Sequence, residues 1–180
     1  TRIFKDAFKQ DIILLTTMMA SYAINNKVKH ALDLFDKVRH TRLKPDEVTF
    51  INVLSMCSHS GMIEQGRLFF TSMSHDYNIT PNIYHYSCMI DMLGRAGCLK
   101  EAEDMINNMP CPATSLQWIT LLSSCRQKLD IERGERAAHQ IFLLDPKNPI
   151  PYVELSNIYG SLNRDADAIE IMHKMKARVL

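Results

Sequence analysis

Apolar residues recur along the chain at the spacing of one helix face, in short stretches that helix breakers separate. Phe50, Val53, Leu54 and Cys57 stand at i, i+3, i+4 and i+7, which places their side chains on one face of a helix. The stretches come in pairs. Typical stop signals lie between or after the members of a pair, namely Asn25-Asn26, Ser60-Gly61 and Ala96-Gly97, then Pro45, Pro81, Pro112 and Pro146. This pattern predicts a series of helical hairpins.

The hairpins recur with a nearly fixed period. Blocks that begin at Ile12, Glu47, Ile83, Ser115 and Pro149 are 35, 36, 32 and 34 residues apart. The fourth residue of every block is bulky and apolar (Leu15, Phe50, Tyr86, Trp118, Tyr152), and the twentieth is small (Ala31, Gly66, Ala102, Gly134, Ala168). Matching columns at such a period indicate a repeat architecture.

A single hairpin cannot bury both of its faces, so the blocks are expected to stack on one another. The prediction is an all-α fold, a right-handed α-solenoid whose first helices line the concave face. Small residues at the twentieth position would let the second helix approach the first closely. Residues 1–11, with Phe4 and Phe8, are predicted to be the second helix of a truncated preceding repeat.

Composition and cysteine usage exclude several classes of protein. The 180 residues are 46% hydrophobic and 23% charged, which excludes collagen and low-complexity disorder. The five cysteines include no C-x-x-C pair, which excludes a zinc ribbon and a thioredoxin motif. The seven histidines lie apart and lack the i, i+4 pairing of zinc hydrolases, so we expect no metal site, no cofactor and no catalytic residue. The apolar run from Ile12 to Ile24 is broken by polar residues and is too short for a membrane span. Because Thr1 is neither an initiator nor part of a signal peptide, we expect a longer parent protein.

Several motifs resemble the pentatricopeptide repeat family of plants. They are EVTFINVL at 47–54, CSHSG at 57–61 and MIDMLGRAG at 89–97. The block lengths resemble the P, L and S repeats of the PLS subclass. Residues 115–180 resemble the paired E1 and E2 motifs, with WITLLSSCR at 118–126, GERAA at 134–138 and LSNIY at 155–159.

The resemblance implies a domain organisation. Residues 12–46 would be a P-type repeat, 47–82 an L-type repeat and 83–114 an S-type repeat. Residues 115–148 would be the E1 motif and 149–180 the E2 motif, both similar to tetratricopeptide hairpins.

The resemblance also implies a site. In this family the fifth and last residues of a repeat contact one base of single-stranded RNA, and the second residue wedges between bases. The implied base-reading pairs are Thr16 with Asp46, Ile51 with Asn82, and Ser87 with Thr114. The implied wedges are Ile13, Val48 and Tyr84. An alternative interpretation is that Thr16 and Ser87 are ordinary exposed hydroxyls and Asp46 an ordinary turn acid.

The charge distribution favours RNA binding near the amino terminus. Residues 1–46 carry nine Lys and Arg against five Asp and Glu, whereas residues 47–114 carry three against seven. Phosphate contacts are therefore expected around the basic cluster of Lys27, Lys29, Lys37, Arg39, Arg42 and Lys44. A solvated helix face is the alternative explanation of that cluster.

The resemblance implies a function in organellar C-to-U RNA editing. The chain would bind single-stranded RNA, not DNA or a membrane, as part of a specificity factor in the mitochondrion or plastid. Its E motifs would recruit or position a deaminase domain or accessory editing proteins, since no deaminase signature H-x-E with P-C-x-x-C is present. The alternative function is a protein-binding scaffold without RNA specificity.

Overall fold

The computed structural model describes residues 14, 17–18, 21–22, 25, 27–39 and 45–179, and all regular structure among them is helical. The helices with defined bounds are α1 Val28–Arg39, α2 Glu47–Ser60, α3 Ile63–His75, α4 Ile83–Ala96, α5 Leu99–Asn108, α6 Ser115–Lys128, α7 Ile131–Leu144, α8 Ile150–Ser161 and α9 Asp165–Val179. The predicted all-α fold is confirmed. None of the described helices is long and apolar enough to cross a membrane.

The chain divides into two compact units, residues 1–92 and residues 93–180, and α4 passes from the first into the second. In the first unit α2 and α3 form a hairpin. Gly61 ends α2 in the left-handed conformation, with φ of 68°, and its N–H bonds to the Ser58 carbonyl at 3.3 Å. The N–H of Met62 bonds to the Cys57 carbonyl at 2.9 Å, which completes a tight helix-ending turn.

An aromatic cluster fills the core of the first unit. Phe35 of α1 packs edge-on against Phe50 of α2 and Phe69 of α3, with ring centroids 5.7 and 4.8 Å apart. Met92 lies against Gly66, where an added Cβ would come within 2.7 Å of the Met92 Cε. The small residue of this repeat therefore leaves the space that the following helix α4 occupies, while the Cys57 Cβ of α2, the helix that the sequence predicted to be close, would lie 3.4 Å from the added Cβ.

The second unit contains the hairpins α6–α7 and α8–α9. Leu129 ends α6 with φ of 56°, a left-handed backbone conformation that residues other than glycine rarely adopt. Its N–H still reaches the Arg126 carbonyl at 3.3 Å, and the N–H of Asp130 reaches the Cys125 carbonyl at 3.0 Å. The turn therefore keeps the hydrogen bonds of the Gly61 turn without a glycine.

Close packing holds α7 between α6 and α8. A Cβ on Gly134 would lie 3.0 Å from the Ile158 Cδ1 and 3.6 Å from the Leu122 Cδ1. The neighbouring Ala137 and Ala138 are fully buried. The prediction that Gly134 lies where helices touch is confirmed, and a larger residue at this position would crowd Ile158 of α8.

Candidate nucleic-acid interface

The candidate interface lies where the first helices of the repeats begin. Asp46, Asn82 and Thr114, the last residues of three repeats, are each the residue before a first helix, where a side chain can accept from free backbone N–H groups. Two other predicted residues, Thr16 and Ile13, lie outside the described residues, as does the predicted helix at 1–11.

Asp46 caps α2 with one of its two carboxylate oxygens. Its Oδ1 accepts from the Thr49 N–H at 2.9 Å and from the Thr49 hydroxyl at 2.7 Å. In return the Thr49 Oγ1 accepts from the Asp46 N–H at 3.3 Å, which forms a capping box. Asp46 is exposed, and among the described residues nothing donates to its Oδ2. Its remaining chemistry is that of a hydrogen-bond acceptor.

Asn82 caps α4 with its amide oxygen. The Oδ1 accepts from the Tyr84 N–H at 3.1 Å and from the His85 N–H at 3.4 Å, while the Nδ2 donates to Glu47 Oε2 at 3.0 Å. An amide has two acceptor lone pairs and two donor hydrogens. Asn82 therefore has one N–H donor left for a ligand, whereas Asp46 has an acceptor left.

Thr114 caps α6 with its only polar side-chain atom. The Oγ1 accepts from the Leu116 N–H at 3.3 Å and donates to Gln117 Oε1 at 2.8 Å. Because the one hydroxyl proton is engaged, Thr114 has no donor left for a ligand.

The predicted fifth positions differ in character. Ile51 is half-buried and apolar, and it lies one turn after Glu47, the residue to which Asn82 is bonded. Ser87 is half-buried, and its hydroxyl donates to the Ile83 carbonyl at 2.8 Å within its own helix.

The predicted wedge positions are exposed apolar side chains. Val48 is 57% exposed and Tyr84 64% exposed, each in the first turn of its helix. Sequence reasoning missed that the same position is also apolar and exposed in the second unit, at Leu116 (57%) and Ile150. The repeat spacing alone would have found both, since each is the second residue of its block.

His85 binds the start of α4 to the start of α2. Its Nε2 lies 2.9 Å from the Glu47 carbonyl oxygen, and its Nδ1 accepts from the Asn82 N–H at 3.1 Å. Because Nδ1 must be unprotonated to accept, the ring is neutral and Nε2 carries the proton. Burial lowers the pKa of His85 below its ordinary value of 6.5, although the contacts with Glu47 act in the opposite direction.

In the second unit an ion-pair network connects α5 with α7. Glu103 accepts from the Arg136 Nε and Nη2 at 2.7 and 2.9 Å, and Arg133 approaches the same carboxylate at 3.2 Å. The hydrogen bond from Arg136 lowers the pKa of Glu103 in spite of partial burial. Beside the network is an open groove of about 680 Å³, lined in part by Trp118 and Glu132.

Metal chemistry has no support in the described part of the chain. No group of three or more His, Cys, Asp or Glu side chains there is placed to hold a metal ion. The five cysteines are free thiols, and burial raises the pKa of Cys57 to about 12.

The helical hairpins and their capped first helices define the chain as a helical-repeat protein. Family models agree: a pentatricopeptide repeat domain matches residues 3–60, a PPR repeat matches 77–110, and an E motif matches 129–180. The chain belongs to the pentatricopeptide repeat family and carries an E motif, which confirms the resemblance in the sequence.

Similar proteins come from Arabidopsis thaliana. A pentatricopeptide repeat-containing protein is 44% identical over 98% of this chain and 25% of its own length. A chloroplastic one is 39% identical over 91% of this chain and 22% of its own length. A mitochondrial one is also 39% identical, over 99% of this chain and 29% of its own length. The chain thus spans about a quarter of the length of these relatives.

A solved structure shares the fold. The maize pentatricopeptide repeat protein PPR10, in complex with an 18-nucleotide psaJ RNA element, matches 92% of this chain and 25% of its own length with a TM-score of 0.78. The sequence identity is 20%, so this likeness concerns the fold.

Proposed function

We propose that the chain binds single-stranded RNA through the amino-terminal turns of its first helices. The repeats at 12–46, 47–82 and 83–114 would each meet one base, with Thr16 and Asp46, Ile51 and Asn82, and Ser87 and Thr114 as the base-reading pairs. Ile13, Val48 and Tyr84 would be the wedges. The observation that carries this proposal is the exposed Asp46, which caps α2 with one oxygen and keeps the other as an acceptor.

The exposed apolar side chains support the same proposal. Tyr84 is 64% exposed, although a helix face that contacts only water does not require an aromatic side chain there. RNA bases, in contrast, stack on aromatic and apolar side chains. The structurally similar PPR10 is bound to an 18-nucleotide RNA element, and this supports RNA as the ligand class. Exposed Lys27 and Lys29 on the amino-terminal side would meet phosphates.

A titration with labelled single-stranded RNA at two salt concentrations tests the proposal. Binding should weaken steeply with salt because phosphate contacts release counterions. Tyr84→Ala should weaken binding by about 1–3 kcal/mol through lost stacking. Leu68→Ala is the matched control, since Leu68 is also 64% exposed but lies on a second helix, α3. Equal losses in the two variants would contradict a first-helix interface.

For the cellular role we propose a specificity factor of organellar C-to-U editing, in a mitochondrion or plastid. Chloroplastic and mitochondrial relatives support an organelle. The E motif region, with repeats E1 at 115–148 and E2 at 149–180, would recruit a deaminase domain or accessory editing proteins.

A protein-binding role of the second unit is favoured by its apolar positions. Apolar residues fill both the fifth positions, Ile119 and Val153, and the exposed second positions, Leu116 and Ile150, which gives the first helices of this unit an apolar surface. Leu116→Asp in the full-length protein should abolish editing while RNA affinity is kept. Loss of RNA affinity in this variant would instead place RNA on the second unit.

A further inference from the structure

The Asn82 amide is held in one orientation by three hydrogen bonds. Backbone N–H groups of Tyr84 and His85 can bond only to its oxygen, and the Glu47 carboxylate can bond only to its NH₂ group. We propose that Glu47 is a specificity-determining residue that positions this amide, so that the repeat presents a lone N–H donor to its base. This inference rests on the proposed function.

A lone donor distinguishes bases by whether the central nitrogen of the Watson–Crick edge accepts a hydrogen bond or carries a hydrogen. Adenine N1 and cytosine N3 are acceptors, whereas guanine N1 and uracil N3 carry hydrogens and repel a second donor. The repeat at 47–82 should therefore favour adenine or cytosine over guanine or uracil. Ile51, the apolar partner position, offers no hydrogen bond that could reverse this preference.

Glu47 matters because the amide could otherwise turn over. A flipped amide would offer its oxygen to guanine or uracil and would lose the cap of α4. With Glu47 present, the flip also places the amide oxygen against Glu47 Oε2, at the 3.0 Å that now separates Nδ2 from that atom. Two acceptors at this distance repel each other, so Glu47 disfavours the orientation that would accept the wrong bases.

The backbone on both sides of this contact is fixed. His85 bonds to the Glu47 carbonyl at 2.9 Å and to the Asn82 N–H at 3.1 Å, so the two segments cannot shift apart without breaking buried hydrogen bonds. The Glu47–Asn82 side-chain bond itself is exposed and should contribute little to folding. Its removal should therefore change base selectivity and leave the melting temperature unchanged.

The test measures relative affinities of the full-length protein for four RNAs that differ at one nucleotide. The nucleotide that faces this repeat is the one at which Asn82→Ala abolishes any preference. Glu47→Gln keeps the size of the side chain, but its amide can also donate to a flipped Asn82 oxygen. The preference for adenine and cytosine should fall roughly three- to ten-fold, about the contribution of one hydrogen bond. Glu64→Gln is the control, since Glu64 carries the same charge on α3 and is 89% exposed.

Each outcome has a separate meaning. A Glu47→Gln protein that discriminates as the wild type does would overturn the role of Glu47. A protein in which Asn82→Ala changes the base preference at no nucleotide, or a wild type that prefers guanine or uracil at the nucleotide so identified, would also overturn it, and RNA binding itself would stand. Absence of RNA binding in the wild type would remove the proposed function and this inference together. An equal fall in Glu64→Gln would assign the effect to general charge and overturn the inference.

Discussion

At the scale of single residues, the capping residues of the first helices have two tasks. Asp46 and Asn82 each use one side-chain atom to begin a helix, and each keeps hydrogen-bonding capacity on the other. What is left is an acceptor in one repeat and a donor in the other. Thr114, with a single oxygen, keeps no donor.

Asp46→Asn tests this division of tasks. The new side chain can still cap α2 with its oxygen, because Asn and Asp are comparable capping residues. The outward acceptor, however, becomes an NH₂ donor. The outward acceptor of Asp46 fits the N1–H and N2–H donors of guanine, whereas a donor fits the N1 acceptor of adenine. We therefore expect base preference at the nucleotide facing Thr16 and Asp46 to move from guanine toward adenine, by about 1–3 kcal/mol in relative affinity. Competition between RNAs that differ at that nucleotide measures the shift, and an unchanged guanine preference would exclude Asp46 from base contact.

His85 should make stability depend on pH. The folded chain holds its pKa below 6.5, mainly by burial, so the unfolded chain binds the proton more readily. The contribution of His85 to the free energy of unfolding is therefore fully present above pH 6.5 and is lost as the pH falls from that value through the lower pKa of the folded chain. His85→Gln supplies an acceptor and a donor without titrating, and it should flatten this part of the profile. Denaturant titrations at several pH values measure both slopes, and parallel slopes would contradict the assignment.

At the scale of helices, small residues set the spacing between neighbours. Gly134 fits α7 between α6 and α8, and Gly94 at the end of α4 lies against Ser124 of α6. A Cβ on Gly94 would overlap the Ser124 hydroxyl and lie 2.9 Å from the Ser124 Cβ, an atom that cannot rotate away. Helix contact at this point depends on the absent side chain.

Gly94→Ala should therefore destabilise the chain by about 1–3 kcal/mol through overpacking. Gly160→Ala is the matched control, because Gly160 is also helical and an added Cβ there meets nothing within 4 Å. That variant should gain about 0.5–1 kcal/mol from helix propensity. Thermal or denaturant unfolding of the two variants measures the difference, and a stable Gly94→Ala protein would show that α4 and α6 can separate without cost.

The sequence predicted helices well where the information is local. Asp46, Asn82 and Thr114 mark helix starts by their chemistry, and Gly61 marks a turn by its freedom to take positive φ. Leu129 gave no such signal, because nothing in the chemistry of a leucine side chain marks it for the left-handed conformation that it adopts. The His85 bond to Glu47 could not be predicted either, since it joins residues 38 positions apart. The exposed apolar residues Leu116 and Ile150 share the repeat position of Val48 and Tyr84, so the repeat spacing is enough to predict them.

At the scale of the whole molecule, charge and chemistry are unevenly distributed. The first 46 residues are basic, the next 68 are acidic, and the last 66 are nearly balanced. Asp46 and Asn82, whose side chains keep hydrogen-bonding capacity, belong to the first unit, whereas in the second unit both fifth positions, Ile119 and Val153, are apolar. We expect the fifth positions of the second unit to contribute apolar contacts rather than hydrogen bonds.

The purified chain should be inert toward cytidine, free or in RNA, even with added zinc. Deamination needs a bound metal ion that activates water and a carboxylate that transfers protons. No such ligand set exists among the described residues. An assay for uridine formation, with an active deaminase as positive control, measures this. Uridine formed by the chain alone would contradict the prediction.

The helix caps restrict which amino acids such a protein can use to change its ligand. A residue that begins a helix must be a good capping residue, and the best are Asp, Asn, Ser and Thr. Of these, only Asp and Asn have a second polar side-chain atom to offer. Two capping residues can therefore also present a second polar atom to a ligand: Asp presents an acceptor and Asn presents a donor. Any finer discrimination, for example between large and small bases, must come from other residues of the repeat. Exchange of Asp and Asn at one such position therefore changes recognition without rebuilding the helix, whereas a residue that cannot cap changes folding and recognition together.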